Sequence, residues 1–372
     1  MNIRLVGLGA AALLWQSFGV SAHALHTLYA FSGGSDGGAP LSLVQDSQGN
    51  LFGTTAAGGA NGHGTVFKLT PSGTETVIYS FPAGRGGPIG NIAMDSHGNI
   101  LGVTYDGGDH GYGSVFLVAQ DGFERDIIDF DGSSDSGSPR GGVIVDSHDN
   151  IYGTTTVGSE DMGTLFEISP GPNGFKQLHV FQGGDGGASP EGALVRDGSG
   201  NLYGTTHLGG INQSGIVFEL TASGQFKTLH EFDNGDGEAA NGLIMDGAGN
   251  LFGTTIQGGA GGYGTVFEMK AARTFHLLYS FTGHADGLYP LCTLAMTPVG
   301  GVFGTTTQGG AGAAGTLFRV SLIGVLKTVH AFQRSDGSSP AGNLVVDQSH
   351  NLYGMTDSGG PANAGTVFQI EE

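Results

Sequence analysis

The stretch Leu51-Phe52-Gly53-Thr54-Thr55, followed after a glycine-rich loop by Gly64-Thr65-Val66-Phe67, decides how this chain is read. G-T-T returns at Gly153, Gly204, Gly253 and Gly304, with variants Gly102-Val103-Thr104 and Gly354-Met355-Thr356. The spacings run 49, 51, 51, 49, 51 and 50 residues. G-T-V-F or a close variant begins at Gly64, Gly113, Gly163, Gly215, Gly264, Gly315 and Gly365. A short apolar run ends at Phe31, Phe81, Phe130, Phe181, Phe232, Phe281 and Phe332. Linked motifs at a fixed period of this length signal a repeat architecture.

Working outward from the motif, each unit resolves into four short strands. In unit one, residues 41–44 form strand A and the turn 46–50 leads into strand B at 51–55. Loop 56–63 leads into strand C at 64–69, and Pro71-Ser72-Gly73 turns the chain into strand D at 76–81. Val, Ile, Thr, Phe and Tyr suit strands, and Asp, Asn, Gly and Ser suit the turns. Four-stranded units at this period predict a seven-bladed β-propeller, all-β, with a parallel β-helix as the alternative. The phase favours the propeller. Residues 25–31 read as a strand D and residues 365–370 as a strand C, so the first strand is placed to complete the last blade.

The composition fits. Of 372 residues 73 are glycine, yet 38% are hydrophobic, which supplies apolar surface for a core. No strict every-third glycine appears, so collagen is excluded, and this much glycine opposes long helices. Thirteen basic against 33 acidic residues give a net charge of −20, which argues against nucleic acid and anionic membrane surfaces as partners. Arg4, the apolar run from Leu5 to Val20 and Ala22-His23-Ala24 read as a secretory signal cut after Ala24. Residues 25–372 are then one domain of a secreted, extracellular or periplasmic protein, expected to be a monomer without membrane insertion. Cys292 is the only cysteine and sits in an apolar run, which reads as a buried inert thiol.

The recurrent D-x-x-G-N-L-[FY]-G-T-T, the glycine-rich loop, G-T-[VL]-F and the terminal Phe resemble the GloVer tandem-repeat proteins. The resemblance spans residues 25–372 and implies an exported bacterial protein, propeller-like in build. It supplies no catalytic residue.

Residues present in nearly every unit most simply serve the blade. These include Asp46, Asp95, Asp146, Asp197, Asp246 and Asp347, with their Asn partners at the A–B turn. The D–A loops carry a further acidic series, Asp36, Asp135, Asp185, Asp236, Asp286 and Asp336, broken by Arg85. It reads as turn chemistry, with a Ca²⁺ or sugar-hydroxyl role as the alternative. Residues that depart from the repeat are the site candidates. Tyr105, Asp106, His110 and Tyr112 lie in the second B–C loop, and His207 follows G-T-T in unit four. Arg140 and Glu191 follow D–A loop prolines, where unit one has Leu41. The leading reading is a binding module for an extracellular glycan or surface protein. Tyr105 and Tyr112 would stack on sugars, and Arg85, Asp106 and Glu191 would contact the ligand. The alternative is a β-eliminating polysaccharide lyase: Arg140 or Arg85 neutralises a uronate, His110 or His207 takes the α-proton and a Tyr, with Tyr105 the candidate, protonates the leaving oxygen. Glycoside hydrolysis by Glu191 with a neighbouring Asp is less supported. A structural scaffold is the third reading. No metal site is expected.

Overall fold

The computed structural model describes residues 24–133, 136–158, 162–171, 174–298 and 300–371. The signal-peptide expectation rests on residues before these, and Asp135 also lies outside them. The described residues are all-β. Their one helical element is the 3-10 turn Gly184–Gly186.

In unit one Gly38–Gln45, Leu51–Ala57, Thr65–Leu69 and Glu75–Ser80 pair antiparallel in chain order. The same four-stranded order recurs along the chain, as in Pro88–Met94, Ile100–Thr104, Ser114–Val118 and Glu124–Asp129. The first strand, Leu25–Ala30, pairs antiparallel with the last, Thr366–Ile370. It therefore takes the place of strand D beside the C-terminal strands, as the phase of the repeat predicts.

The registers explain the motifs. Gly53 lies opposite Phe67, and the matching pair recurs in all seven units, through Gly354 and Phe368. A Cβ at Gly53 would come within 2.4 Å of the Phe67 ring tip. Glycine is required here for space, because the ring lies across the neighbouring strand. Gly64 is different. Its φ is +92°, and a Cβ there would meet the Thr55 carbonyl at 2.0 Å. The second threonine of G-T-T meets the threonine of G-T-V-F through their hydroxyls, at 2.9 Å between Thr55 and Thr65. The first ties neighbouring units in places: Thr154 donates to the Pro190 carbonyl, and Thr254 to that of Pro290. The terminal Phe of one unit packs against the G-T-V-F ring of the next, edge-on in most units and tilted for Phe130–Phe166 and Phe332–Phe368. Ring centroids are 5.2 Å apart for Phe31–Phe67 and 5.1 Å for Phe281–Phe318. Such pairs add about 0.5–1.5 kcal/mol beyond area burial.

The recurrent acids serve turns. Asp46 Oδ1 accepts the backbone N–H groups of Gln48 and Asn50, and Oδ2 accepts the Asn50 amide. Asp347 does the same for Ser349 and Asn351. In the D–A series Tyr29 and Tyr279 donate their hydroxyls to Asp36 and Asp286, both at 3.0 Å. Nε2 of His230 and His330 lies 2.8 and 3.1 Å from Asp236 and Asp336. These carboxylates thus fix the loop to strand D, which accounts for the interchange of Tyr and His there. His179 and His230 also stack on Phe226 and Phe275 of the following unit, with centroids 4.0 and 3.7 Å apart.

Arg85 is explained at one such seam. Its guanidinium bonds both Glu124 oxygens at 3.0 Å and pairs with Asp126, while Tyr79 donates to Glu124. The position matching Glu124 one unit earlier is Glu75, which faces Tyr29 and Asp36 and has no such cation. Its Oε1 is buried without a hydrogen-bond partner among the described residues. Burial, and then Asp36, push the Glu75 carboxyl up to about 7. A carboxyl whose folded pKa is raised favours the folded state while protonated. That contribution is complete below its ordinary value of 4.5 and is lost as pH rises through about 7. Glu75→Gln is expected to remove this decline. Allowing for solvent screening at a partly exposed site, it should stabilise the protein by about 1–2 kcal/mol at pH 8. Urea titrations of both proteins at pH 5 and pH 8 check it, and equal slopes with pH would refute the assignment.

Candidate functional site

The residues that follow the D–A loop prolines, and Asn241 at the matching position of unit five, converge on one cavity. Arg140, Glu191 and Asn241 line this cavity of about 260 Å³ together with Leu41, Ile89 and Leu291. The cavity is a mostly apolar cup that carries a few polar side chains. Deeper in it, Asn91 Nδ2 donates to Thr293 Oγ1 at 3.1 Å, linking units two and six. Beside this floor the Ser42 hydroxyl donates to Asn343 Oδ1 at 3.0 Å and accepts the Ile92 N–H. Close approach of the inner strands depends on glycine. A Cβ on Gly141 would meet the Gly192 carbonyl at 2.6 Å.

Three of the expected residues meet here. Glu191 Oε2 lies 3.6 Å from Arg140 Nη1 and 3.4 Å from His207 Nδ1. Tyr105 backs this group: the Arg140 guanidinium sits over its ring, 4.4 Å from the centroid. The Tyr105 contact is the main influence raising the Arg140 pKa; desolvation opposes it and Glu191 adds to it. His207 responds oppositely. Desolvation lowers its pKa and Arg140 lowers it further, against the pull of Glu191. Its imidazole is therefore neutral at pH 7, and its backbone N–H is held by the Ser189 carbonyl at 3.0 Å. The cup thus combines a fixed cation, an anion that offsets it, a neutral imidazole and two amides.

Four expected residues lie elsewhere. Arg85 is committed to Glu124 and Asp126, because a long cation beside two carboxylates on strand D is held there. His110 and Asp106 are exposed on the second B–C loop, outside the cup. Tyr112 covers the glycines of the next D–A loop. A Cβ on Gly132 would come within 2.4 Å of its ring, and its carbonyl accepts the Ser138 N–H. Tyr112 packs between loops, and His110 lies outside the group formed by His207.

The reading from sequence missed Asn241, Asn91, Thr293 and the apolar lining. The signal was the position after the D–A proline. It is obscured in unit five, where Ala240 replaces that proline. Cys292 lies at the cup floor, buried, with its thiol pushed up to about 11 by burial, so it is inert as a nucleophile near neutral pH.

The Gloeobacter/Verrucomicrobia repeat profile matches residues 17–207 and 158–368. No curated protein matches the sequence. Among solved structures, virginiamycin B lyase from Staphylococcus aureus is similar at 11% identity. The match covers 94% of this chain and 99% of that one, with a TM-score of 0.61. The extracellular domain of a hybrid two-component system from B. thetaiotaomicron is similar at 12% identity. It covers 93% of this chain and 39% of that one, with a TM-score of 0.66. At these identities the likeness concerns the fold. No described helix is long and apolar enough to cross a membrane.

Proposed function

The chain belongs to the Gloeobacter/Verrucomicrobia repeat family, and from that premise we propose an exported seven-bladed propeller that binds a neutral sugar unit of an extracellular glycan in its axial cup. The ring reading is supported by seven sets of motifs and by the pairing of the first strand with the last. Contacts between inner strands add to it, as between Asn91 and Gly142 and between Cys292 and Gly342. Export is supported by the signal-like residues before Leu25 and by the extracellular neighbour. Residues 25–372 form the single binding domain in this reading.

The observation that carries the ligand class is the Arg140–Glu191–His207 group sharing one cavity with Leu41, Ile89 and Leu291. Arg140 and Glu191 offset each other and His207 is neutral, so the cup attracts neither anions nor cations strongly. It offers both donors and acceptors and apolar contact. A pyranose has matching surfaces, hydroxyls at its edge and C–H groups on its face. The volume, near the low end of ligand pockets at roughly 300–1,000 Å³, suits one ring rather than a long chain.

A glycan array followed by calorimetry on the best hit tests this. Arg140→Ala should weaken binding by about 10–100-fold, the range for losing charge-assisted hydrogen bonds. An array without hits, or unchanged affinity in Arg140→Ala, would overturn it. The lyase reading retains one observation in its favour, a neutral imidazole beside a guanidinium. Glu191 weighs against it, because the carboxylate occupies the cation that would neutralise a uronate. Ultraviolet absorbance of unsaturated products from polyuronates would decide for the lyase.

A further inference from the structure

A second cavity lies between units two and three, at the face of the A–B and C–D turns and away from the axial cup. It holds about 660 Å³. The equivalent seam between units four and five, walled by Tyr203, Leu229 and Met269, leaves only about 190 Å³.

The difference follows from unit two's own departures from the repeat. At the second position of strand B every other unit has Phe or Tyr, and unit two has Leu101. Its cross-strand partner elsewhere is a long polar residue, and in unit two it is Leu117. In the other units that pair fills the seam: Lys68 sits over Phe52 at 5.5 Å, and Tyr203 donates to Glu219 at 3.2 Å. The strand D position that holds Tyr or His in all other units is Ile128. Leu101, Leu117 and Ile128 all line the cavity, with Ile151, Ile168 and Phe175 opposite. Three departures that remove rings and polar atoms thus open a space of ligand size with an apolar wall at Leu101, Leu117 and Ile128.

The rim carries two carboxylates held by hydrogen bonds and one guanidinium without an ion pair among the described residues. Asp95 accepts from the backbone of His97 and Asn99 and from the Asn99 amide. Asp149 accepts from the backbone and hydroxyl of Ser96, with His97 Nδ1 at 3.8 Å. Arg125 lines the same cavity, is exposed, and makes no ion pair among the described residues.

We propose that this cleft between units two and three is a second ligand site, for an apolar small molecule carrying one anionic head, with Arg125 pairing the head and the Leu101–Leu117 wall taking the body. Site and ligand class are independent of the sugar reading of the axial cup. Anilinonaphthalene sulfonate, an aromatic body with one sulfonate, is a suitable probe. The folded wild-type protein should bind it at one saturable site with enhanced, blue-shifted fluorescence, and decanoate should displace it. Leu101→Tyr, which restores the ring of the other units, should weaken binding at least tenfold. Arg125→Gln changes only an exposed side chain and should weaken it three- to tenfold. Absence of saturable one-to-one binding in the wild type would overturn the proposal. So would full affinity in Arg125→Gln, which stands as a test even where Leu101→Tyr fails to fold.

Discussion

A chain that begins at Ser32, lacking residues 25–31, is expected to lose its single cooperative unfolding transition and to aggregate where the intact domain does not. Leu25–Ala30 supplies five registered partners to the last strand, from Leu25 opposite Ile370 to Ala30 opposite Thr366. Without them Thr366–Ile370 becomes an open edge with a row of unpaired backbone groups, a template for association. Phe31 is 1% exposed and packs edge-on against Phe67, and Tyr29 packs edge-on against Phe31. Truncating a buried Phe alone costs about 3–5 kcal/mol, against a typical total stability of about 5–15 kcal/mol. The deletion removes that ring, the Tyr29–Asp36 bond and a whole strand pairing together, so the loss exceeds what the domain is expected to hold. Calorimetry and size-exclusion chromatography of the two chains decide it. A shortened chain that unfolds in one transition at the intact temperature would refute the closure. Phe31→Ala serves as the milder comparison, expected to lower the unfolding temperature by several degrees while keeping one transition.

The pairing of the first strand with the last was legible because its meaning is periodic. Every G-T-T glycine meets the same ring in seven units, and the A–B turn aspartates meet the same amides in six, so many copies report one environment. The site follows a different logic. It takes single residues from successive units, roughly fifty positions apart, and only the arrangement of the inner strands brings them together. Arg140, Glu191 and His207, singled out because they break the repeat, do lie together in one cavity. Asn91 and Thr293 were not singled out, because their pairing across units two and six depends on the width of the cup. Arg85 also breaks the repeat and misled, since two strand D carboxylates lie closer to it than the cup does. Absence of volume was the hardest signal. Leu101 is an ordinary strand residue until the other six units show that a ring is missing there.

Glu191→Gln is expected to convert the cup from one that prefers neutral sugars to one that prefers acidic sugars. Among the described residues the carboxylate is the only anion paired with Arg140, and the guanidinium keeps its charge at any pH the fold tolerates. With Gln at this position the cup carries an uncompensated cation against an apolar wall. A uronate should gain about 10–100-fold over the matching neutral sugar, in line with the several kcal/mol that charge complementarity sets between wrong and right partners. The substitution is expected to fold, because the Arg140 side chain is 40% exposed and can be solvated. His207 supplies an independent readout. Its pKa is already lowered by desolvation and by Arg140, and Glu191 is the one influence raising it. In Glu191→Gln it must fall further, so the imidazole stays neutral to more acid pH and binding of the acidic sugar varies less with pH on that account. In Arg140→Ala the carboxylate remains and the cation goes, so the same pKa must rise and the imidazolium must appear nearer neutrality. Imidazole proton shifts followed by NMR across pH measure both directions on folded protein without any ligand. If the two variants move His207 the same way, the three groups do not act on one another as their geometry requires. If the His207 shifts hold but Glu191→Gln keeps the wild-type ligand preference, the electrostatics of the cup stand and its role in choosing the ligand does not.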